Sequence, residues 1–165
     1  VVNDTCESSV PGVYAVGDVN GGPQFTYVSL DDFRIVFGAL TGNSQYTLKD
    51  RKNIPYTTFL TPPLSRVGLT EEDAINQGYT IKTKEMLVAT MPRAHVNDYL
   101  KGAFKIVVDA DSNLILGATL YSQGAEELIN LIKMAMDNNI PYTYFKNQIF
   151  THPTMAENLN DLCNF

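Results

Sequence analysis

The stretch FKIVVDADSNLILGATL, residues 104–120, decides the fold class of this 165-residue chain. Residues 104–108 and 114–120 are short apolar runs that contain β-branched side chains, which is typical of buried strands. The five residues between them, DADSN at 109–113, are polar and favour a tight connection. The stretch therefore predicts an antiparallel β-hairpin.

Further strands and an amphipathic helix are predicted on either side of this hairpin. Residues 56–60 and 78–90 are predicted as strands, and Thr70 with Asp73 has the capping-box spacing that predicts a short helix. Residues 125–136 repeat apolar side chains at helical spacing, with charged residues on the opposite face. Together these patterns predict an α+β fold, in which an antiparallel sheet has helices packed on it.

The N-terminal part of the chain follows a different pattern. Residues 13–16 (VYAV) are a short apolar run that predicts a strand, a glycine-rich loop follows, and a helix is predicted over residues 24–40. The polar stretch 41–54 lacks periodicity and is interpreted as a linker. We therefore expect residues 1–40 to belong to another domain and residues 55–165 to form a domain of their own.

Composition argues against several classes of function. Lys plus Arg number 12 and Asp plus Glu 18, so the formal charge of −6 disfavours nucleic acid or an anionic membrane as a partner. No apolar run approaches the roughly 20 residues of a membrane-spanning helix. Two His and two Cys without a shared motif predict no metal site. We expect a cytoplasmic protein in which Cys6 and Cys163 are free thiols without a catalytic role.

A first candidate site lies where the predicted strand 13–16 ends. Gly17 would let a ligand approach the backbone, and Asp18 offers a carboxylate that accepts hydrogen bonds from sugar hydroxyls. The helix that follows offers free N–H groups and a partial positive charge at its start. An isolated Gly-Asp pair is, on its own, more typical of a turn that the Asp caps.

A second candidate site is FTHPTMAE, residues 150–157. Histidine, with a reference pKa of about 6.5, can exchange a proton near neutral pH, and a carboxylate on its second ring nitrogen would fix the tautomer. His152 and Glu157 are therefore candidates for an acid–base residue and its orienting partner. The pattern alone favours a structural role for both, because Thr154 and Glu157 also have the spacing of a capping box.

Both motifs resemble those of the pyridine nucleotide–disulfide oxidoreductases, the family of glutathione reductase, lipoamide dehydrogenase and mercuric reductase. SSVPGVYAVGDVNGGPQ (8–24) is similar to the family's second FAD-binding motif, and FTHPTMAE resembles its C-terminal His-Pro-Thr…Glu signature. FLTPPLSRVGLTEEDA (59–74) and GAFKIVVDADSNLILGATL (102–120) extend the resemblance over nearly the whole chain.

The resemblance implies roles for residues at matching positions in the FAD-binding motif. Asp18, preceded by Gly17, would bind the ribitol of FAD, and the helix start at Gln24, Phe25 and Thr26 would lie against the pyrimidine edge of the flavin. These three residues depart from the Leu-Ala-His type of sequence that is common in the family, so only their backbone N–H contacts carry over.

The resemblance also implies a role for the C-terminal motif. His152, oriented by Glu157, would reach the active site of the other subunit of a homodimer, and the bond between His152 and Pro153 would be cis. In the full-length enzyme, NAD(P)H would reduce FAD, FAD would reduce a Cys-x-x-x-x-Cys disulfide, and the dithiol would reduce a disulfide or another small-molecule substrate. His95, by contrast, is interpreted as a surface loop residue.

The chain contains neither that cysteine pair nor a GxGxxG loop, and it begins without Met, so we expect a fragment that is inactive alone. His152 argues against a mercuric reductase, and the ending ENLNDL (157–162) is similar to flavoproteins of the reactive-chlorine-resistance branch. Two alternatives stay open. One is a non-catalytic self-association module, and the other is a flavoenzyme without redox cysteines that passes electrons directly to a small acceptor.

Overall fold

The computed structural model describes the whole chain, residues 1–165, which divides into two compact units, Val1–Lys52 and Asn53–Phe165. The division falls inside the stretch 41–54 that the sequence analysis interprets as a linker, where Leu48–Asp50 forms a short 3₁₀ helix. The larger unit contains one antiparallel sheet with helices packed on it, which confirms the predicted α+β class.

The sheet has the predicted hairpin at its centre. Its strands, in chain order, are β1 (Tyr56–Thr58), β2 (Leu64–Gly68), β3 (Ile81–Leu87), β4 (Ala103–Asp109) and β5 (Ile115–Tyr121). In space they are ordered β1-β2-β5-β4-β3, and each neighbouring pair is antiparallel. The Asp109 carboxylate closes the β4–β5 turn by accepting a hydrogen bond from the Ser112 hydroxyl at 2.5 Å.

Six α-helices accompany the sheet. They are α1 (Thr26–Leu40) in the smaller unit, then α2 (Glu71–Asn76), α3 (Pro92–Val96), α4 (Ala125–Asp137), α5 (Tyr142–Asn147) and α6 (Leu159–Leu162). The predicted capping box of α2 is confirmed: the Asp73 N–H donates to the Thr70 hydroxyl (2.9 Å), and the Thr70 N–H donates to the Asp73 carboxylate (3.2 Å).

The core of the larger unit lies between one face of the sheet and the apolar face of α4, as the periodicity predicts. Its fully buried side chains come from β2, β4, β5 and two helices, α4 and α6: Val67, Phe104, Ile106, Val108, Leu120, Ile129, Ile132, Leu159 and Leu162. Because Leu159 and Leu162 belong to the same cluster, the chain segment that ends in α6 is anchored to the core.

Some local predictions were wrong. Residues 13–16 form no strand, since the smaller unit offers no second strand for them and only an isolated bridge joins Glu7 to Tyr14. The predicted strand 78–90 is shorter, because β3 ends at Leu87 and a 3₁₀ turn, Val88–Thr90, follows. The helix predicted from residue 24 begins two residues later.

Three elements escaped prediction. β2 follows Pro62 and Pro63, and its inward positions, Ser65 and Val67, do not form an apolar pattern. α3 and α5 are too short, at five and six residues, to show a helical period.

Helix α1 buries a narrow face that includes a charged residue. Val28, Asp32 and Ile35 are its buried residues, so a charged side chain occupies the inner face. The large apolar residues of its other face are exposed: Leu30, Phe33, Phe37 and Leu40.

Candidate functional site

The two residues of the C-terminal motif lie together. His152 Nδ1 is 2.8 Å from Glu157 Oε2, and the peptide bond between His152 and Pro153 is cis, as expected. The His152 side chain is 71% exposed and that of Glu157 only 16%. The ring nitrogen Nε2 makes no hydrogen bond within the chain, so the imidazole is held on one side and free on the other. A carboxylate on Nδ1 places the exchangeable proton at Nε2 in reach of an external group.

Glu157 has two candidate roles, to orient His152 or to complete a capping box with Thr154, and its carboxylate contacts only the first of these partners. Its backbone N–H donates to the Thr154 hydroxyl at 3.2 Å, which is one half of a capping box. Its carboxylate does not complete the box: Oε2 contacts His152, and Oε1 is buried without a hydrogen-bond partner. The Glu157 side chain is therefore directed to the imidazole, while Thr154 alone supplies the cap.

Side chains outside the motif hold this segment in place, and the sequence analysis did not identify them. The buried Asn158 amide donates to the carbonyl oxygens of Thr154 (3.2 Å) and Met155 (3.1 Å). The Asn160 amide donates to three carbonyl oxygens at the end of α5, among them that of Phe145 at 2.5 Å. These amides add side-chain hydrogen bonds to the backbone of the segment 154–160 and tie it to the end of α5. Asparagines inside an otherwise helical stretch were the available signal.

A third support comes from the edge strand β3. The Lys84 ammonium donates to the carbonyl oxygens of Asp161 (2.7 Å) and Asn164 (2.6 Å) at the C-terminal end of α6. A cation at this end of a helix meets both the free carbonyls and the negative end of the helix dipole. No local pattern marks Lys84, because its partners lie about 80 residues further along the chain.

The first motif forms a turn, the 3₁₀ helix Gly17–Asn20, rather than the end of a strand. Asp18 is exposed on this turn. Gly17 is buried at φ +72°, and a Cβ there would lie 2.8 Å from the Ser29 hydroxyl of α1. Its lack of a side chain therefore has a local cause, the close packing of the turn on α1.

The start of α1 lies just beyond this turn. Gln24, Phe25 and Thr26 are exposed, Phe25 is the N-cap residue, and no side chain caps the helix. The first N–H groups of α1 are thus open to an electron-rich ligand atom. An exposed carboxylate and an uncapped helix start fit the ribitol hydroxyls and the pyrimidine edge of FAD, which is the group that the resemblance implies.

A buried carboxylate that the sequence analysis missed lies beneath the turn. Asp32 is fully buried, and its oxygens accept hydrogen bonds from the Gly17 N–H (2.7 Å), the Asn20 amide (2.8 Å) and the Arg51 guanidinium (2.5 Å). The consecutive acids at 31 and 32 were the only sequence signal.

The remaining candidate groups do not form a site. His95 lies in α3 rather than in a loop, which corrects that prediction; its ring is exposed and Nε2 is 2.8 Å from the Ala89 carbonyl oxygen. No group of three or more His, Cys, Asp or Glu side chains is arranged to hold a metal ion.

Both cysteines are free and buried, as the sequence analysis expects for free thiols. Burial raises the pKa of Cys163 to about 12, and burial followed by the charge of Asp32 raises that of Cys6. Because the thiolate is the reactive form, we expect neither thiol of the folded 165-residue chain to react with 5,5′-dithiobis(2-nitrobenzoate) at pH 8. Both should react at once in guanidinium chloride. Rapid release of one equivalent of thionitrobenzoate from the native chain would contradict this.

Comparison with known proteins identifies the family. Residues 54–163 match the family model described as the pyridine nucleotide-disulphide oxidoreductase dimerisation domain. The chain belongs to this family. The match covers the sheet and α2 to α6, so the larger unit is the family's dimerisation domain.

Relatives in the family match almost the entire chain. It is 48% identical to the probable pyridine nucleotide-disulfide oxidoreductase RclA of Escherichia coli K12, over 98% of this chain and 37% of that protein. It is 34% identical to a mercuric reductase of Lysinibacillus sphaericus over 96% of this chain and 29% of the relative. The chain is 32% identical to a dihydrolipoyl dehydrogenase of Chlorobaculum tepidum, over 94% of this chain and 33% of the relative.

A solved structure of the family agrees with the fold. The HOCl-induced flavoprotein disulfide reductase RclA from Escherichia coli matches with a TM-score of 0.95 and 47% identity, over 99% of this chain and 38% of that one. The chain thus spans between 29% and 38% of the length of these relatives. Among its helices none has the length and apolarity that crossing a membrane requires.

Proposed function

We propose that this chain is the dimerisation and active-site-completing part of an FAD-dependent NAD(P)H:disulfide oxidoreductase, or of a related enzyme with another small acceptor. The observation that carries the proposal is the contact between His152 Nδ1 and Glu157 Oε2, with the rest of the imidazole exposed. The exposed His95 has only a backbone carbonyl as its partner, whereas the ring of His152 is paired with a carboxylate and presents Nε2 outward.

His152 would act as the acid–base residue of the reaction. Its Nε2 takes a proton from a thiol of the redox pair and returns it when the substrate disulfide opens, while Glu157 holds the ring through Nδ1. The protonated ring also favours the thiolate of a neighbouring cysteine. Since the imidazole points away from its own unit's core, we propose that it serves the active site of a second copy in a homodimer.

Asp18 and the start of α1 would hold FAD, which supplies electron transfer between NAD(P)H and the disulfide when it is bound. The Asp18 carboxylate would accept hydrogen bonds from the ribitol, and the exposed helix start at Gln24, Phe25 and Thr26 would lie against the pyrimidine edge. Gly17 allows the turn to pack on α1 beneath them. No residue of the chain is assigned to NAD(P)H, and the 165 residues alone are expected to show no turnover, since neither buried cysteine can form a dithiol.

The 48% identity with RclA, whose solved structure is described as an HOCl-induced flavoprotein disulfide reductase, supports the reactive-chlorine-resistance branch. A cytoplasmic location is proposed because both cysteines are free thiols. A disulfide or another small oxidised molecule is the expected electron acceptor. We propose neither nucleic acid nor a membrane as a partner, because the net charge is −6.

An anaerobic titration of the full-length flavoprotein with NAD(P)H tests the proposal. We expect a long-wavelength absorption band from a thiolate beside the flavin, which identifies a dithiol enzyme. Bleaching of the flavin without this band would favour the alternative of direct electron transfer to a small acceptor. The other alternative, a non-catalytic self-association module, predicts that changes at His152 leave turnover intact.

A further inference from the structure

The buried carboxylate of Asp32 accepts hydrogen bonds from residues that lie outside helix α1. It lies on the inner face of α1, is 0% exposed, and accepts hydrogen bonds from three separate groups. A buried charge is costly unless it is paired and fully hydrogen-bonded. The three donors therefore account for the presence of a carboxylate at this position.

Two of these donors are the two ends of the turn that carries Asp18. Gly17 N–H and Asn20 Nδ2 both donate to Oδ2 of Asp32, at 2.7 and 2.8 Å. Asp18 lies between them in the chain and is exposed. A single oxygen of α1 thus fixes both ends of the turn.

The third donor neutralises the carboxylate. Arg51 donates from one terminal guanidinium nitrogen to Asp32 (2.5 Å) and from Nε to Asp31 (2.8 Å), and its side chain is only 10% exposed. Burial alone lowers the pKa of Arg51, but its hydrogen bonds to Asp32 and Asp31 outweigh burial and raise it. The guanidinium therefore stays charged and pairs with the buried Asp32 side chain at 2.5 Å.

We propose that Asp32, paired with Arg51, is a positioning residue for the FAD site. The proposed FAD site has two parts, the Asp18 carboxylate and the uncapped start of α1. Asp32 fixes the first relative to the second and does not contact the cofactor itself. The inference rests on the proposed function, because it gives Asp32 a purpose only if Asp18 and the start of α1 bind FAD.

The test compares Asp32→Asn with Ile35→Ala in the full-length flavoprotein. Ile35 lies one turn further along the same buried face of α1 and has an apolar side chain that makes no hydrogen bond to the turn. Apoprotein of each variant is titrated with FAD, and its thermal unfolding is recorded. We expect Asp32→Asn to raise the Kd for FAD about tenfold or more, the effect of losing a charge-assisted hydrogen bond. Ile35→Ala should lower Tm and leave this Kd within about twofold. Equal loss of FAD affinity in both variants, or none in Asp32→Asn, would overturn the proposal.

Two further variants keep the test decisive. If Asp32→Asn does not fold, Asn20→Ala removes one of the two hydrogen bonds between the turn and Asp32 and should still raise the Kd for FAD. Unchanged FAD affinity in a folded Asn20→Ala protein then counts against the positioning role of Asp32. Asp18→Ala separates the two levels of inference: if it leaves FAD binding intact, the proposed cofactor site itself fails. If Asp18→Ala weakens FAD binding and Asp32→Asn does not, only the positioning role fails.

Discussion

Replacement of His152 by alanine is expected to lower turnover of the full-length flavoprotein by about 10²- to 10⁴-fold, the usual contribution of a positioned acid–base residue. The reason is that the imidazole is the exposed member of a pair whose other member, Glu157, is largely buried and directed at it. Glu157→Gln should give a smaller loss, because the amide still contacts Nδ1 but no longer stabilises the charged ring.

The measurement is steady-state oxidation of NAD(P)H with a disulfide such as 5,5′-dithiobis(2-nitrobenzoate), with flavin content determined for each variant. His95→Ala is the matched control, since His95 is also exposed and bonded through one nitrogen, to the Ala89 carbonyl. It should retain wild-type turnover. If His152→Ala behaves like His95→Ala, the chain is an assembly module and the structural role of His152 is the correct one.

The parts of the fold that could be predicted are those in which neighbouring residues carry the signal. The β4–β5 hairpin and α4 show their period directly, because each buries one continuous apolar face. β2 could not be predicted in this way, since Ser65 occupies one of its buried positions. Residues 13–16 look like a strand because apolar runs predict burial, but a strand also needs a partner, which the smaller unit lacks.

The same distinction applies to the candidate sites. His152 and Glu157 were found because they are five residues apart in one motif. Asp32 and Arg51 are separated by 19 residues, and Lys84 reaches a carbonyl 80 residues away. Such pairs form only where distant parts of the chain meet in the folded protein. The local spacing of residues in a single sequence therefore gives no signal for them. The candidate residues that share one motif were therefore predictable, and the supporting residues that are distant in the chain were not.

Phe104→Ala is expected to lower the free energy of unfolding of this chain by about 3–5 kcal/mol, the range for removing a buried aromatic side chain. Phe104 is 0% exposed and lies on β4 between Met86 and Leu120, its partners in the neighbouring strands. The cost combines lost burial with the cavity that rigid strands on both sides cannot close. Urea unfolding followed by far-ultraviolet circular dichroism measures it, with a midpoint shift at constant slope.

Phe59→Ala is the control for this change. Phe59 belongs to the same unit but is 78% exposed, so its removal should alter the free energy of unfolding by no more than about 0.5 kcal/mol. Equal effects of the two changes would show that the sheet face is not the core. Phe104 also shares its buried cluster with Leu159 and Leu162, which anchor α6 beside the His152 segment. Loss of the Phe104 ring should therefore loosen the segment that contains His152 before the sheet unfolds. The reason is that α6 has only four residues and depends on that cluster for its position.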